Sequence, residues 1–250
     1  MDEEEMNRPL KQMYERLARF LADRLNIEAG SVILEAGCGS GQLTIPFAKK
    51  ILETTKEFRI LALDSHSGPY RGDLEVLRTA IVEEGLDELV TPLTEDVRRM
   101  NEVQTESIDV IVSNELFCDL DHMGLEKTLR EFYRVLNPRG QMAHGNLSPV
   151  AETPAQKLLI EGDSHSLETS TPKPGWFSPP TDEVVALLHG LNFRNITAVY
   201  FETNVRFGFD EAVDQLRKWT VDPRFIEDHI DELRRYGLEF PIEPFIFCTK

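Results

Sequence analysis

Between Val32 and Ala48 the sequence reads VILEAGCGSGQLTIPFA, with glycine at 37, 39 and 41. A branched apolar run precedes the glycines, and Leu43, Phe47 and Ile51 recur behind them at helical spacing, so the three fall in a tight turn from a buried strand into a helix. The first glycine permits the turn, the second lets a ligand lie on bare backbone, and the helix start offers N–H groups with no intrahelical partner. Spacing narrows the ligand. A dinucleotide fingerprint is G-x-G-x-x-G with a pyrophosphate against the helix. Here Gln42 stands at the third glycine's position and Gly41 comes one residue early. Glu35 would be a poor neighbour for pyrophosphate, yet suits a ligand carrying an ammonium group.

A second set of groups could move a proton. Glu115, Asp119, Asp121 and His122 follow the apolar run IDVIVSN, and His144, Asn146 and Ser148 lie in or just after QMAHGNL. A carboxylate or imidazole at the end of such a strand can take a proton from a reacting hydroxyl or amine. Glu115 is the leading candidate base, with His122 and Asn146 beside it. His144 also reads as a core histidine inside its strand. His66, His165 and Trp176 are alternatives on irregular segments, Trp176 reading better as a loop anchor. Cys38 reads as a small filler in the turn.

The elements that must hold these groups alternate. Leu10, Met13, Tyr14, Leu17, Leu21 and Leu25 predict an amphipathic helix over 6–26. Strands are predicted at SVILEA, FRILALD, LVTPLT, IDVIVSNE and QMAHGNL, with helices after the first, after the second (74–84) and at LEKTLREFYRV, the last stopped by Asn137, Pro138 and Gly140. Such alternation implies parallel strands joined by right-handed crossovers. Pro149, Pro154, Pro172, Pro174, Gly175, Pro179 and Pro180 punctuate 148–180, around one short helical piece at AQKLLI, and a long irregular insertion of this kind suits a lid. Thr181 is expected to cap a helix ending at Gly190, followed by one long strand over 194–207, helices over 210–219 and 223–236, and a closing strand PFIFCT. The expected fold is α/β: one doubly wound, mostly parallel seven-stranded sheet with an antiparallel last strand and helices on both faces. Helical or irregular insertions follow strand five and separate strands six and seven. The expected organisation is a single domain over 1–250: an N-terminal helix (1–30), a cofactor-binding core (31–147), a lid-like insertion (148–180) and C-terminal helices and strands (181–250).

The segment EAGCGSG resembles the first motif of the class I S-adenosylmethionine-dependent methyltransferases, acid-x-Gly-x-Gly-x-Gly, and the resemblance continues in order through 32–147. LALDSHSG is similar to the end of that family's second strand, TEDV to its adenine motif, SIDVIVSNELF to its fourth strand and FYRVLNPRG to its RVLKPGG segment. The resemblance implies S-adenosylmethionine as cofactor and S-adenosylhomocysteine as product. It implies cofactor contacts from Glu35, Ala36, Gly37, Gly39 and Gly41, ribose contacts from Asp64 and Ser65, adenine contacts from Asp96 and the Val97 backbone, and a contact from Ser113 at the end of strand four. The reaction implied is methyl transfer by in-line displacement, in which alignment and exclusion of water matter more than a dedicated base.

Composition constrains the acceptor. With 27 Lys and Arg against 44 Asp and Glu the formal charge is −17, which repels a phosphate backbone and weighs against nucleic acid. No apolar run is long enough to cross a membrane, and the acidic start MDEEEMNRPL is not a secretory leader. The three cysteines are scattered, without disulfide or zinc spacing, so no metal is expected and a reducing cytoplasm is the expected home. The leading expectation is a small-molecule acceptor. The alternatives are a protein side chain, for which an acidic surface would suit a basic segment and to which IVSNEL bears a faint likeness among arginine methyltransferases, and a protein that binds the cofactor without turnover.

Overall fold

The computed structural model describes residues 3–65, 73–166 and 178–250. Five parallel strands, β1 (Ser31–Ala36), β2 (Phe58–Asp64), β3 (Val90–Thr94), β4 (Ile108–Asn114) and β5 (Leu136–Gly145), are joined by β6 (Arg194–Phe201) and β9 (Glu243–Thr249) in one seven-stranded sheet. Its order is β3-β2-β1-β4-β5-β9-β6, with β9 antiparallel to both neighbours. β1 is central and buried on both faces, which is why its sequence is almost continuously apolar and why the carboxyl group of Glu35 within it is conspicuous. The strand order reverses on either side of β1, so a crevice opens beyond the carboxyl ends of β1 and β4.

Helices cover both faces. On one, α1 (Glu3–Ala22), α2 (Thr44–Leu52) and α3 (Leu74–Glu83) pack through Leu17, Leu21, Phe47, Ile51, Leu74 and Leu77. On the other, α4 (His122–Val135) and α6 (Thr181–Gly190) pack through Leu125, Leu129, Phe132, Val184 and Leu188. α5 (Pro154–Asp163), closed at its start by a reciprocal Thr153–Gln156 capping box, belongs to the first insertion. α7 (Phe209–Lys218), α8 (Pro223–Asp228) and α9 (Ile230–Tyr236) form the second. The two are one structure: Gly162 lies against Leu216 and Phe225, Ser166 bridges to Val221, and the Ser166 hydroxyl donates to the Trp219 carbonyl (3.0 Å).

The chain departs from its sequence-based reading in five places. The strand expected over 194–207 breaks after Phe201. The buried Thr203 hydroxyl there bonds the Phe240 and Pro241 carbonyls (both 3.1 Å), and Arg206–Phe207 (β7) pairs instead with Leu238–Glu239 (β8) in a separate ribbon. The helix expected over 223–236 is two helices, parted at His229, whose backbone leaves the helical range. The segment Asn137-Pro138-Arg139-Gly140 does end α4, but it then forms a bulge inside β5, with a register shift against Ile108 and Val110 and Arg139 at φ 79°. α1 ends at Ala22 rather than near 26, and Thr181 opens α6 without capping it, since Pro180 takes the cap position.

Gly41 shows how tightly the turn is built. Its φ is 92°, and a Cβ there would stand 2.5 Å from Leu77 Cδ1, so this glycine serves the packing of α3 on the turn. Gly41→Ala is expected to cost about 1–3 kcal/mol in chemical denaturation, from backbone strain and the displaced leucine together.

Candidate active site

The glycine turn hangs from β2. Gly37 and Cys38 donate backbone N–H to the Leu63 carbonyl (2.8 and 3.0 Å), and Gly39 N–H donates to Asp64 Oδ2 (2.8 Å). Asp64 therefore fixes the turn with one oxygen. Among the described residues a Cβ on Gly39 would meet only Gln42 Oε1, at 3.5 Å, so there this glycine leaves its backbone bare toward the crevice, unlike Gly41. Beneath the turn, Glu35 is 2% exposed and among the described residues no donor reaches its Oε2. Burial pushes its carboxyl group up to about 8, with the Thr44 hydroxyl opposing and the negative Asp64 adding to the rise. An orphaned buried carboxyl oxygen under a bare glycine turn fits a ligand that brings an ammonium group.

Glu115 follows β4 in the left-handed region (φ 51°), where its N–H bonds the Gly145 carbonyl (2.9 Å) and its Oε1 accepts from the Leu147 N–H (2.5 Å). The next side chain, Leu116, lies over Gly37, so the base candidate and the glycine turn adjoin. Burial raises the Glu115 carboxyl group to about 8, with the Leu147 N–H opposing and Asp163 and Asp119 adding to the rise. Unmarked in the sequence reading, Glu243 at the start of β9 comes within hydrogen-bond reach of Glu115. It is 1% exposed, and burial followed by the neighbouring Glu115 holds its carboxyl group well above the usual range. Tyr14 of α1 faces Glu35, Glu115 and Glu243, and its hydroxyl is raised by burial and then by those charges. The signal for Glu243 was a lone acid opening an otherwise apolar strand. For Tyr14 there was none beyond its place in the apolar stripe.

Several expected contributors are placed elsewhere. His122 opens α4 on the surface and bonds Glu183 Oε1 of α6 through Nδ1 (2.8 Å), a bridge between two helices, so it is corrected to a surface residue. Ser113, fully buried, bonds His144 Nδ1 through its hydroxyl (2.7 Å), and the His144 ring stacks on Phe117. With its amide oriented to satisfy its neighbours, Asn146 donates to His144 Nε2 (2.5 Å) and accepts from the Cys118 N–H (3.3 Å). Burial lowers the His144 imidazole to about 3, so it is a neutral core group. The Ser113 and Asn146 side chains are thus corrected from site contacts to braces of that histidine. Asp96 binds the Arg98 backbone N–H (2.8 Å) and guanidinium, whose hydrogen bonds hold its carboxyl group below the usual range. Val97 packs in the core below it, and Ala36 is buried at the end of β1. Asp121 caps α4 through the Gly124 N–H (2.6 Å), Ser148 bonds the Ile242 carbonyl through its N–H (2.9 Å), and His165 packs on Phe225. Cys38 is buried, its thiol raised by burial, as suits a filler. Ser65 adjoins Asp64 at the crevice, while His66 and Trp176 lie outside the described residues.

A sheet of order 3-2-1-4-5-7-6 with its seventh strand antiparallel, carrying an acid and a glycine turn after strand one, defines the class I methyltransferase fold. Residues 33–140 match the model of the family described as methyltransferase domain. The chain is 29% identical over 167 residues to methyltransferase GfsG of Streptomyces halstedii, covering 64% of this chain and 55% of that protein, so it spans about half the length of that relative. Among solved structures, the [4+2]-cyclase SpnF aligns with a TM-score of 0.65 at 14% identity, over 94% of this chain and 80% of its own. A geranyl diphosphate methyltransferase in complex with SAM aligns with a TM-score of 0.63 at 17% identity, over 99% and 91%. No helix among the described residues is long and apolar enough to cross a membrane.

Proposed function

We propose that this protein transfers a methyl group from S-adenosylmethionine to a small-molecule acceptor bearing an ionisable O–H or N–H, with Glu115 as the base. The observation that carries the reading is the placement of the Glu115 carboxyl group next to the glycine turn, anchored by the Leu147 N–H and raised to about 8. S-adenosylmethionine, when bound, supplies a sulfonium-activated methyl group and departs as a neutral thioether. This chain's own part is to bind and align. The bare backbone at Gly39 supports the ligand, Glu35 meets its ammonium group, and Asp64 and Ser65 edge the position of the ribose hydroxyls. Asp96 and the Val97 backbone edge the adenine position. Glu115 takes the acceptor's proton as the new bond to carbon forms, so the carboxylate ends protonated and the acceptor ends methylated.

The acid-rich interior supports an acceptor that is neutral or cationic at its reacting end. Enclosure of Glu115 by α1, β9 and the end of α5 suits a small molecule better than a protein segment. The relatives named as methyltransferases support the reaction, and the cyclase neighbour favours keeping the acceptor chemistry as the point to test. The experiment is incubation with methyl-labelled S-adenosylmethionine and cell extract, followed by fractionation. Label in small molecules is the expected result. Label confined to protein or RNA, or none transferred, overturns the reading. Asp64→Ala should weaken cofactor binding by about 1.5–3 kcal/mol in calorimetry, through loss of a charged acceptor and of the turn it holds. Gly39→Ala should fold yet bind poorly, separating the cradle at 39 from the packing role at 41.

A further inference from the structure

Glu115 is not alone in its environment. Tyr14 reaches it from α1, Asp163 from the end of α5, Asp119 and Cys118 from the turn after β4, Glu35 sits across Tyr14 in β1, and Glu243 enters from β9. Of these Glu243 combines two features. Among the described residues no N–H or hydroxyl donor reaches its Oε1, although the residue is almost wholly buried. That same oxygen lies over Gly145, where a Cβ would stand 2.6 Å from it and 2.3 Å from the Phe245 ring, so the glycine admits the carboxyl group to the end of β5. Antiparallel pairing of Gly145 with Phe245 then carries Glu243 beyond the carboxyl end of β5, to the level of Leu147 and Glu115. Two carboxylates cannot share such a place, because bringing like charges together away from water costs more than retaining one proton.

We propose that Glu243 is a positioning residue: its carboxyl group keeps a proton and donates it in a hydrogen bond to Glu115, leaving Glu115 as the member of the pair that carries the charge. Donation from Glu243 favours the ionised form of Glu115, just as the Leu147 N–H does from the other side. The bond also leaves one Glu115 oxygen on the main chain and one on the side chain of β9, so that the carboxylate plane is fixed before an acceptor arrives. The inference rests on the methyltransferase reading only for why such a base is useful, since the shared proton is a property of the free protein.

The test is carboxyl-carbon NMR on full-length protein labelled at glutamate side chains, titrated without cofactor or acceptor. The Glu115 resonance is assigned by its loss in Glu115→Gln. In the wild type its midpoint is expected near about 8. Glu243→Met removes the donor and should move that midpoint up by about one pH unit or more. Glu243→Gln keeps an N–H donor without a titrating group and should hold the midpoint close to the wild type. A purely structural role would lower the melting temperature of Glu243→Met while leaving the midpoint where it was, and that result overturns the proposal. An upward shift together with full methyl transfer by Glu115→Gln would uphold the pair and overturn the base assignment, so the two failures are distinguishable.

Discussion

Replacement of Glu115 by Gln should lower turnover by about 10²–10⁴-fold while leaving cofactor affinity nearly unchanged. The split follows from location. Glu115 lies past the end of β4, whereas Glu35, Gly39 and Asp64 stand at the ends of β1 and β2. Gln keeps the shape and can still accept from the Leu147 N–H, so the left-handed turn at 115 should survive. What is lost is the ability to accept a proton. The pH profile checks the assignment: with the carboxyl group raised to about 8, the base form grows as pH rises, so wild-type turnover should climb with pH and level off above that value. The residual activity of the Gln variant should lack this limb. Loss of activity with an equal loss of cofactor binding would instead place Glu115 in the cofactor's own pocket.

The second large effect belongs to Glu35. Its native carboxyl group is raised to about 8 from an ordinary 4.5 in the unfolded chain, so between those values the native state binds more protons than the unfolded state. Stability contributed by the protonated form is therefore full below the lower value and is lost as pH climbs through the upper one. The ligand-free protein should lose on the order of 4 kcal/mol between about pH 5 and pH 8 from this residue. Glu35→Gln should flatten that slope and melt higher than the wild type at the alkaline end. The same substitution should weaken S-adenosylmethionine binding by about 2–5 kcal/mol, since an ammonium group loses its buried partner. Thermal melts across pH, with and without cofactor, check both halves. A variant that binds as well as the wild type would remove Glu35 from the ligand's surroundings.

The glycine turn and the five parallel strands were legible because each is local: a spacing of glycines, a run of apolar residues. His122 was misjudged because position in sequence places a residue near a strand end without saying which way its helix start points, and here it points to α6. Ser113 and Asn146 looked available because they are polar at the right strand ends. A neutral histidine between them consumes both, a contact spanning β4 and β5 that neither segment announces. Glu243 could be recognised only once β9 was known to insert between β5 and β6, because its meaning comes from the neighbour that pairing supplies. The break at Thr203 was hidden for a similar reason. Its hydroxyl finds the Phe240 and Pro241 carbonyls across the second insertion, and β7 then has β8 to pair with.

The position of β9 also sets the order of assembly. Among the described residues β6 pairs with the sheet only through β9, and β9 is the last of the described elements in the chain, so the nearer partner must wait for the more distant one. Such long-range pairing is slow to nucleate, because the intervening segment has to be closed into a loop before any contact rewards it. A refolding experiment should show the β1–β4 half gaining amide protection first and β6 with β9 gaining it together afterwards. The proton-accepting centre would then come into being only in that final phase, when residues from opposite halves of the polypeptide first meet.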